Sequence, residues 1–241
     1  MTSSSTRTNI NPSLIRATNL TVDHGDLPVV NRLSFLLDST TSPLILVGKN
    51  GSGKSTLIRT LMGLHPYKGE ISPVPGQYEV AWFPQQFPVT FRMPVAEFVA
   101  MGAKKGGRFF PFYTSHEVDL ARELLQNWGI GYLADRYTDV LSGGEWQLIC
   151  LAQLHLQKAA VWLLDEPTAS LDIGFKGLVF KRIWEEAENG KLILVSTHDV
   201  PFLPTSGGTL LLLDQDFPQR PNSKEAQEWV IQQIQKQRSS F

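Results

Sequence analysis

A glycine-rich segment of eight residues, Gly48–Ser55, constrains the fold of this chain more than any other part of the sequence. It reads GKNGSGKS and fits the pattern G-x-x-x-x-G-K-[ST]. The preceding run, Pro43–Val47, is apolar and contains β-branched residues, which is typical of a buried strand. The following run, Ser55–Leu64, has leucines at helical spacing. A strand that leads through such a turn into a helix predicts an α/β fold with a phosphate-binding loop.

The chemistry of this phosphate loop follows from its residue types. Glycines let backbone N–H groups converge on phosphate oxygens, and the positive end of the following helix adds to the attraction. Lys54 is predicted to reach the β- and γ-phosphates of a nucleotide, and Ser55 to ligate Mg²⁺. The predicted nucleotide contacts in this segment are Gly48, Asn50, Gly51, Ser52, Gly53, Lys54, Ser55 and Thr56.

Two acids follow a second apolar strand pattern, Val161–Leu164. Asp165 and Glu166 therefore lie at the carboxyl end of a predicted strand, the edge of an open α/β sheet where ligands bind. Asp165 is predicted to hold Mg²⁺, directly or through water. Glu166 is predicted to be the catalytic base that orients the attacking water.

Composition excludes several function classes. The chain has 241 residues, 42% apolar and 19% charged, with a net charge of −1, so no general electrostatic attraction favours nucleic acid or an anionic membrane. The single cysteine, Cys150, excludes an intrachain disulfide, fits a reducing compartment and is predicted to be buried. No apolar run approaches the roughly 18 residues of a membrane span. Work at a membrane would therefore need another subunit for the spanning part.

A third glycine-containing segment, Leu141-Ser142-Gly143-Gly144-Glu145, stands between the phosphate loop and the two acids. Together the three segments resemble the ATP-binding subunits of ABC transporters, over about residues 14–214. The resemblance makes Leu141–Glu145 the signature turn, and it implies ATP and Mg²⁺ as ligands. It also implies a head-to-tail homodimer in which Ser142, Gly143 and Gly144 contact the γ-phosphate held by the other protomer. A helix that begins here offers unpaired N–H donors to an anion, which agrees with that role.

The resemblance implies roles for further residues. Gln85 contacts Mg²⁺ or the attacking water, with the adjacent Gln86 as the weaker alternative. Asp172 touches the nucleotide site across the dimer, and His198 contacts the γ-phosphate. His24 occupies the position where an aromatic ring usually stacks on adenine, and an imidazole stacks more weakly than a tyrosine.

The signature helix departs from the family. Trp146 and Leu148 flank Gln147 where basic residues are usual, so the helix surface is more apolar. The sequence leaves open whether these side chains pack internally or meet a partner.

Helical patterns occupy the middle of the chain, and strand patterns lie on both sides of them. The predicted fold is therefore an α/β P-loop NTPase core with a mostly parallel sheet, an N-terminal antiparallel β portion and an inserted helical subdomain. The predicted boundaries are 1–13 for a disordered tail, 14–84 and 157–241 for the ATP-binding core, and 85–156 for the helical subdomain.

Two segments after Gln85 point to a transport system. Met93–Gly102 resembles the ATPases of importers for siderophores, haem and cobalamin, while Phe87–Thr90 resembles those of zinc and manganese importers. The leading prediction is ATP hydrolysis that powers import of a metal ion or metal chelate. The implied partners are transmembrane permease subunits, and the implied location is the cytoplasmic face of the inner or plasma membrane.

Alternatives remain open at this point. These segments could serve only to build the helical subdomain, and the chain could be a soluble ABC ATPase without a permease. A scaffold that binds nucleotide without hydrolysing it is a further rival, and Glu166 and His198 argue against it. Charged and aromatic residues at 104–110 favour a solvated loop over contact with a permease or lipid headgroups, and they are weak evidence for nucleic acid.

Overall fold

The computed structural model describes residues 11–24, 27–85, 92–103, 113–203, 208–213, 222 and 224–238. Most of the predicted tail at 1–13 lies outside the described residues. So do Gln86, Phe87–Thr90 and the loop at 104–110.

Eight strands and six α-helices make up the described part of the chain. The strands are β1 (Leu14–His24), β2 (Leu27–Asp38), β3 (Leu44–Val47), β4 (Lys68–Ser72), β5 (Val80–Phe83), β6 (Val161–Asp165), β7 (Leu192–Ser196) and β8 (Thr209–Leu212). The α-helices are α1 (Lys54–Leu61), α2 (Val95–Ala100), α3 (Ser115–Asn127), α4 (Gly143–Leu156), α5 (Ile173–Glu188) and α6 (Lys224–Arg238). Short 3₁₀ turns cover Met101–Ala103, Gly131–Leu133, Thr138–Val140 and Val200–Phe202.

The central sheet is parallel, with strand order β5-β6-β7-β3-β8. Strands β3, β6 and β7 are buried along their whole length, which explains their continuous apolar runs. In the register of β6 and β7, Asp165 lies opposite Ser196. The phosphate loop after β3, the acids at the end of β6 and the residues after β7 therefore meet at one edge of the sheet.

A second sheet is antiparallel, with strand order β2-β1-β4. Strand β4 has no counterpart among the sequence predictions, because only Ile71 of its five residues is buried and the pattern does not alternate. Its pairing with β1 places Ile71 opposite Ala17 in the core. The predicted class, a mostly parallel α/β core with an N-terminal antiparallel portion, is confirmed.

Two apolar clusters hold these layers together. One lies between the two sheets and α1, and the other joins the opposite face of the parallel sheet to α2, α3 and α4. Because this second cluster is continuous, the division at 85–156 stays a prediction. None of the helices over the described residues combines the length and apolar character of a membrane span.

The apolar residues of α4 pack internally. Trp146 is 9% exposed, and its ring centroid lies 4.8 Å from that of Phe98. Leu148 is fully buried, and Cys150 is buried as predicted, with a pKa raised by burial. The open question about this helix is therefore resolved in favour of internal packing.

Helix α1 is shorter than its leucine spacing predicts. It ends at Leu61, and Gly63 follows with φ 75°. The Leu64 amide then donates to the Arg59 carbonyl (2.9 Å), which closes the helix in a Schellman-type turn. Leu64 is 63% exposed as a result, so its place in the helical stripe is wrong.

Candidate active site

The phosphate loop connects β3 to α1 and takes its shape from its glycines. Gly48 has φ 150°, and a Cβ there would overlap the Leu213 carbonyl. Gly53 has φ 98°, and a Cβ there would lie 3.1 Å from the Val29 carbonyl oxygen. Both positions need glycine because the backbone conformation and the neighbouring backbone exclude a side chain. The loop thus closes tightly on the start of α1, where helix N–H groups favour an anion.

A cavity of about 300 Å³ opens beside this loop. It is lined by Val29, Asn50, Gly51, Ser52, Gly53, Lys54, Ser55, Thr56, Gln85, Asp165, Glu166 and His198. The fold therefore brings together the phosphate loop, both acids, Gln85 and His198, as the sequence predicts. Val29 reaches the cavity from β2, and nothing in the sequence singled it out.

Lys54 places a buried positive charge in the cavity wall. Its side chain is 7% exposed, and its Nζ donates to the carbonyls of Gly48 (2.9 Å) and Lys49 (3.2 Å). Burial lowers the pKa of Lys54, while the nearby charges of Glu166 and Asp165 oppose that shift. Because its hydrogen bonds go to neutral carbonyls, the ammonium keeps its charge available for an anionic ligand such as a phosphate.

The two acids are held by the end of the neighbouring strand. The Ser196 hydroxyl donates to Asp165 Oδ1 (2.6 Å) and accepts from the Glu166 amide (2.9 Å). Glu166 has φ 51°, an uncommon conformation for a residue with a side chain. Its Oε2 accepts a hydrogen bond from the His198 amide (3.2 Å). Ser196 thus holds the Asp165 carboxylate and the Glu166 backbone, and no sequence pattern marked it beyond its place at the end of a strand.

His198 is neutral in this arrangement, and its tautomer follows from its neighbours. Its Nε2 lies 3.1 Å from Lys54 Nζ and 3.2 Å from Glu166 Oε1. An ammonium can only donate, so Nε2 accepts from Lys54 and the ring proton lies on Nδ1. Burial lowers the pKa of His198, and the charge of Lys54 lowers it further. Glu166 Oε1 consequently lies buried without a hydrogen-bond donor among the described residues.

Glu166 has the protonation behaviour that a base needs. Burial raises its pKa to about 7, and this rise is opposed mainly by the charge of Lys54 and by the His198 amide. A carboxyl group that titrates near neutral pH and lines the cavity can take a proton from a bound water.

The signature turn lies outside the cavity lining. Ser142 is the N-cap of α4, and its hydroxyl accepts from the Glu145 amide (3.2 Å). Glu145 Oε2 accepts from the Ser142 amide (2.8 Å), and its Oε1 accepts from Arg136 (2.9 Å). The Ser142 amide and Arg136 lower the pKa of Glu145. Gly143 is exposed, and a Cβ there would meet none of the described residues within 4 Å. These groups are therefore not part of their own chain's cavity.

Three other predicted site residues have different surroundings. Asp172 is exposed at the N-cap of α5 and makes no side-chain capping bond. Gln85 is exposed and lines the cavity. His24 is the last residue of β1 and pairs with Leu27, and its side chain lies outside the described residues.

Comparison with known proteins shows to which family the chain belongs. The family model described as ABC transporter matches residues 30–169, more than half of the chain. The match contains the phosphate loop, the signature turn and both acids. The chain belongs to the ABC transporter ATP-binding family. Its activity is therefore the hydrolysis of ATP, and the predicted resemblance and enzyme class are confirmed.

Several members of the family are similar to this chain over most of its length. An uncharacterized ABC transporter ATP-binding protein of Haemophilus influenzae is 32% identical over 215 residues, which cover 85% of this chain and 81% of the relative. The molybdate import ATP-binding protein MolC of the same organism is 33% identical over 177 residues, covering 72% and 69%. A solved inward-facing structure of a metal-chelate type ABC transporter is 28% identical, with a TM-score of 0.72 over 88% of this chain and 83% of that one.

Within this ABC ATP-binding protein, a polar network behind His198 was not foreseen. Asp199 accepts hydrogen bonds from the Thr168 hydroxyl (2.7 Å) and from Lys176 on α5 (2.6 Å). The network joins the loop after β7 to the start of α5. The sequence shows Asp199 beside His198, but its partners lie far away in the chain and only the fold brings them together.

Proposed function

We propose that this ATPase powers the import of a metal ion or metal chelate through transmembrane permease subunits at the cytoplasmic face of the inner or plasma membrane. The names of its relatives support this substrate class. They include an iron chelatin transport ATP-binding protein of Helicobacter pylori (30% identical), a hemin import protein of Rhodococcus jostii (31%) and a zinc import protein of Paracoccus denitrificans (34%). The metal-chelate type transporter structure adds support at the level of the fold and sequence.

The cavity supports a division of labour among its residues. Lys54 and the loop amides hold the phosphates of ATP, and His198 lies beside Lys54 where the γ-phosphate ends. Ser55, Gln85 and Asp165 would hold Mg²⁺, because their oxygens line one cavity and Mg²⁺ prefers oxygen ligands. The bound ion would neutralise charge on the phosphate oxygens.

Glu166 acts as the base in this proposal. The attacking water gives a proton to the Glu166 carboxylate, and its oxygen bonds to the γ-phosphorus while the bond to the β-phosphate oxygen breaks. ATP and water thus become ADP and phosphate. The single observation that carries this assignment is the Glu166 carboxyl in the cavity wall, whose pKa burial raises to about 7.

The exposed signature turn supports a head-to-tail homodimer. Ser142, Gly143 and Gly144 lie outside the cavity lining of their own chain, and Asp172 is also exposed. In a symmetric dimer these groups reach the partner's ATP, whose γ-phosphate then links both protomers through charge-assisted hydrogen bonds.

Mixing two inactive variants tests the dimer. Lys54→Ala removes the phosphate-binding cation, and Gly143→Asp adds a charge to the signature turn. Each alone is expected to be inactive, but a mixed dimer carries one intact site. Equal mixing should restore up to about a quarter of wild-type turnover, since half the dimers are mixed and half their sites are intact. A mixture as inactive as its components would overturn the shared site.

Affinity purification tests the transport assignment. The Glu166→Gln variant should bind ATP, turn over very slowly and accumulate as an ATP-bound dimer. Tagged in its source cell and extracted with detergent, it should co-purify with a multi-spanning membrane protein. Cells that lack the chain should take up less of one metal or chelate, as measured by elemental analysis. Recovery without any membrane protein, together with ATPase activity stimulated by nucleic acid, would favour the soluble alternative.

A further inference from the structure

Gln147 is a buried polar side chain that the roles above do not use. It lies on α4, one turn after the signature turn, and is 7% exposed. Its Nε2 donates to the Glu166 carbonyl (3.2 Å), and its Oε1 accepts from the Ser170 amide (3.0 Å). One side chain therefore connects the signature helix, the backbone of the proposed base and the loop that leads to Asp172.

The hydrogen bond from Gln147 to the Glu166 carbonyl adds to the contacts that hold the Glu166 backbone. Its amide is held by Ser196, through the hydroxyl at 2.9 Å and the carbonyl at 3.2 Å. Its carbonyl is held by Gln147. With φ at 51°, the backbone lies in a region where a residue with a side chain needs external support. Since the groups on both sides of its Cα are held, the direction of the carboxylate is determined by these contacts.

The bond to Ser170 is reinforced by a close approach of the two backbones. A Cβ on Gly144 would lie 3.0 Å from the Ser170 carbonyl oxygen, so the first turn of α4 lies directly against this loop. Asp172 follows two residues later as the N-cap of α5. A movement of α4 relative to the sheet would therefore shift the loop and Glu166 together.

We propose that Gln147 is a positioning residue that aligns Glu166 and the Ala169–Asp172 loop with the signature turn of the same chain. It touches no nucleotide and acts through Glu166 and Ser170. The inference rests on the proposed roles of Glu166 and the signature turn. Its consequence is a mechanical link: engagement of one chain's signature turn by the partner's ATP is transmitted to that chain's own base.

Two substitutions at Gln147 test the two hydrogen bonds of its side chain. Gln147→Met keeps the unbranched shape and removes both hydrogen bonds. Gln147→Glu keeps an acceptor for the Ser170 amide but, when ionised, cannot donate to the Glu166 carbonyl. Gln153→Met is the matched control, because Gln153 lies on the same helix and its Nε2 donates to the Phe98 carbonyl (3.0 Å), within the packing of α2 and α4.

The measurements are steady-state ATP hydrolysis, ATP affinity and the free energy of unfolding. Gln147→Met and Gln147→Glu should lower kcat by about ten- to hundredfold, since a base displaced by a fraction of an ångström loses much of its effect. The KM for ATP should change by less than about threefold, because the phosphate loop is untouched. Gln153→Met should lose comparable stability yet keep kcat within about twofold.

The outcomes separate this inference from the proposed function. If Glu166→Gln is inactive but both Gln147 variants keep the kcat of Gln153→Met, the positioning role is wrong while the base stands. If Glu166→Gln itself turns over normally, the base assignment and this inference both fail. Should Gln147→Met not fold, Gln147→Glu decides, because a folded and fully active Gln147→Glu overturns the inference.

Discussion

The cavity and the signature turn shift the pKa of a glutamate in opposite directions. Glu166 in the cavity is buried, and burial raises its pKa to about 7. Glu145 in the signature turn accepts hydrogen bonds from Ser142 and Arg136, and its pKa is lowered. Burial destabilises a carboxylate, whereas hydrogen bonds to it stabilise it. One glutamate is thus prepared to exchange a proton, and the other stays charged and structural.

The cavity and the signature turn also differ in how many groups of the proposed ATP site each contains. The cavity contains the cation, the acids and the histidine that the proposed binding of ATP needs within one chain. The signature turn satisfies its Ser142 amide internally and leaves Gly143 exposed. A cavity in one part of the chain and an exposed turn in another are the arrangement that the proposed shared site between two protomers requires.

The largest expected effect is the loss of the cavity's cation. Lys54→Ala should weaken ATP binding by about ten- to hundredfold, since a charge-assisted hydrogen bond contributes about 1.5–3 kcal/mol. Fluorescence titration with a labelled ATP analogue measures it. The matched control is Lys49→Ala, an exposed lysine of the same loop that is not among the lining residues, which should change affinity by less than about threefold. Equal losses of ATP affinity in both variants would contradict the role of Lys54 as the phosphate-binding cation of the cavity.

A methyl group added to the signature turn tests the proposed contribution of this turn to the partner's site. Gly143→Ala should leave folding and ATP affinity intact, because its Cβ meets none of the described residues within 4 Å. It should lower kcat by about tenfold or more, since the methyl group would intrude at the proposed binding position of the partner's γ-phosphate.

The control for this variant is Gly177→Ala, in helix α5, where a Cβ likewise has no neighbour within 4 Å in the described part of the chain. It should stabilise the protein by about 0.5–1 kcal/mol, as alanine favours the helix, and leave kcat unchanged. Similar kcat values for the two variants would contradict the role of the signature turn.

The opposite pKa shifts predict which glutamate controls the pH profile. Glu166 must be ionised to accept a proton, so kcat/KM should be low below pH 7 and rise to a plateau as the pH increases through about 7. The lowered pKa of Glu145 keeps it ionised over this whole range. Steady-state kinetics between about pH 6 and 8, at saturating Mg²⁺, should therefore give superimposable profiles for the wild type and Glu145→Gln. A profile that is flat through pH 7 would remove the argument for Glu166.

The smallest effect is expected on stability. In Glu145→Gln the side chain can still accept from the Ser142 amide, while the ion pair with Arg136 is lost. The free energy of unfolding should fall by less than about 1 kcal/mol, because partly exposed ion pairs contribute little. Urea denaturation measures it. A decrease in the free energy of unfolding well above about 1 kcal/mol would show that the signature turn stabilises the folded monomer more than its exposure suggests.

Sequence reasoning recognised features that depend on local patterns. The phosphate loop, the strand before it and the acids after β6 were recognised from spacing and apolar pattern, and the cavity brings these residues together. It was less accurate at ends and edges. Strand β4 was missed because a strand with one buried residue leaves no alternating pattern, and α1 was extended by one leucine beyond the glycine that ends it.

By itself the sequence determined the family, the parallel core, the phosphate loop and the identity of the acids, since each depends on residue types at short spacing. Only the tertiary structure decided that Trp146 packs inward, that His198 accepts from Lys54, and that Gln147 reaches Glu166. These contacts join segments far apart in the chain. Their distances depend on how helices pack on the sheet, and no local pattern encodes that packing.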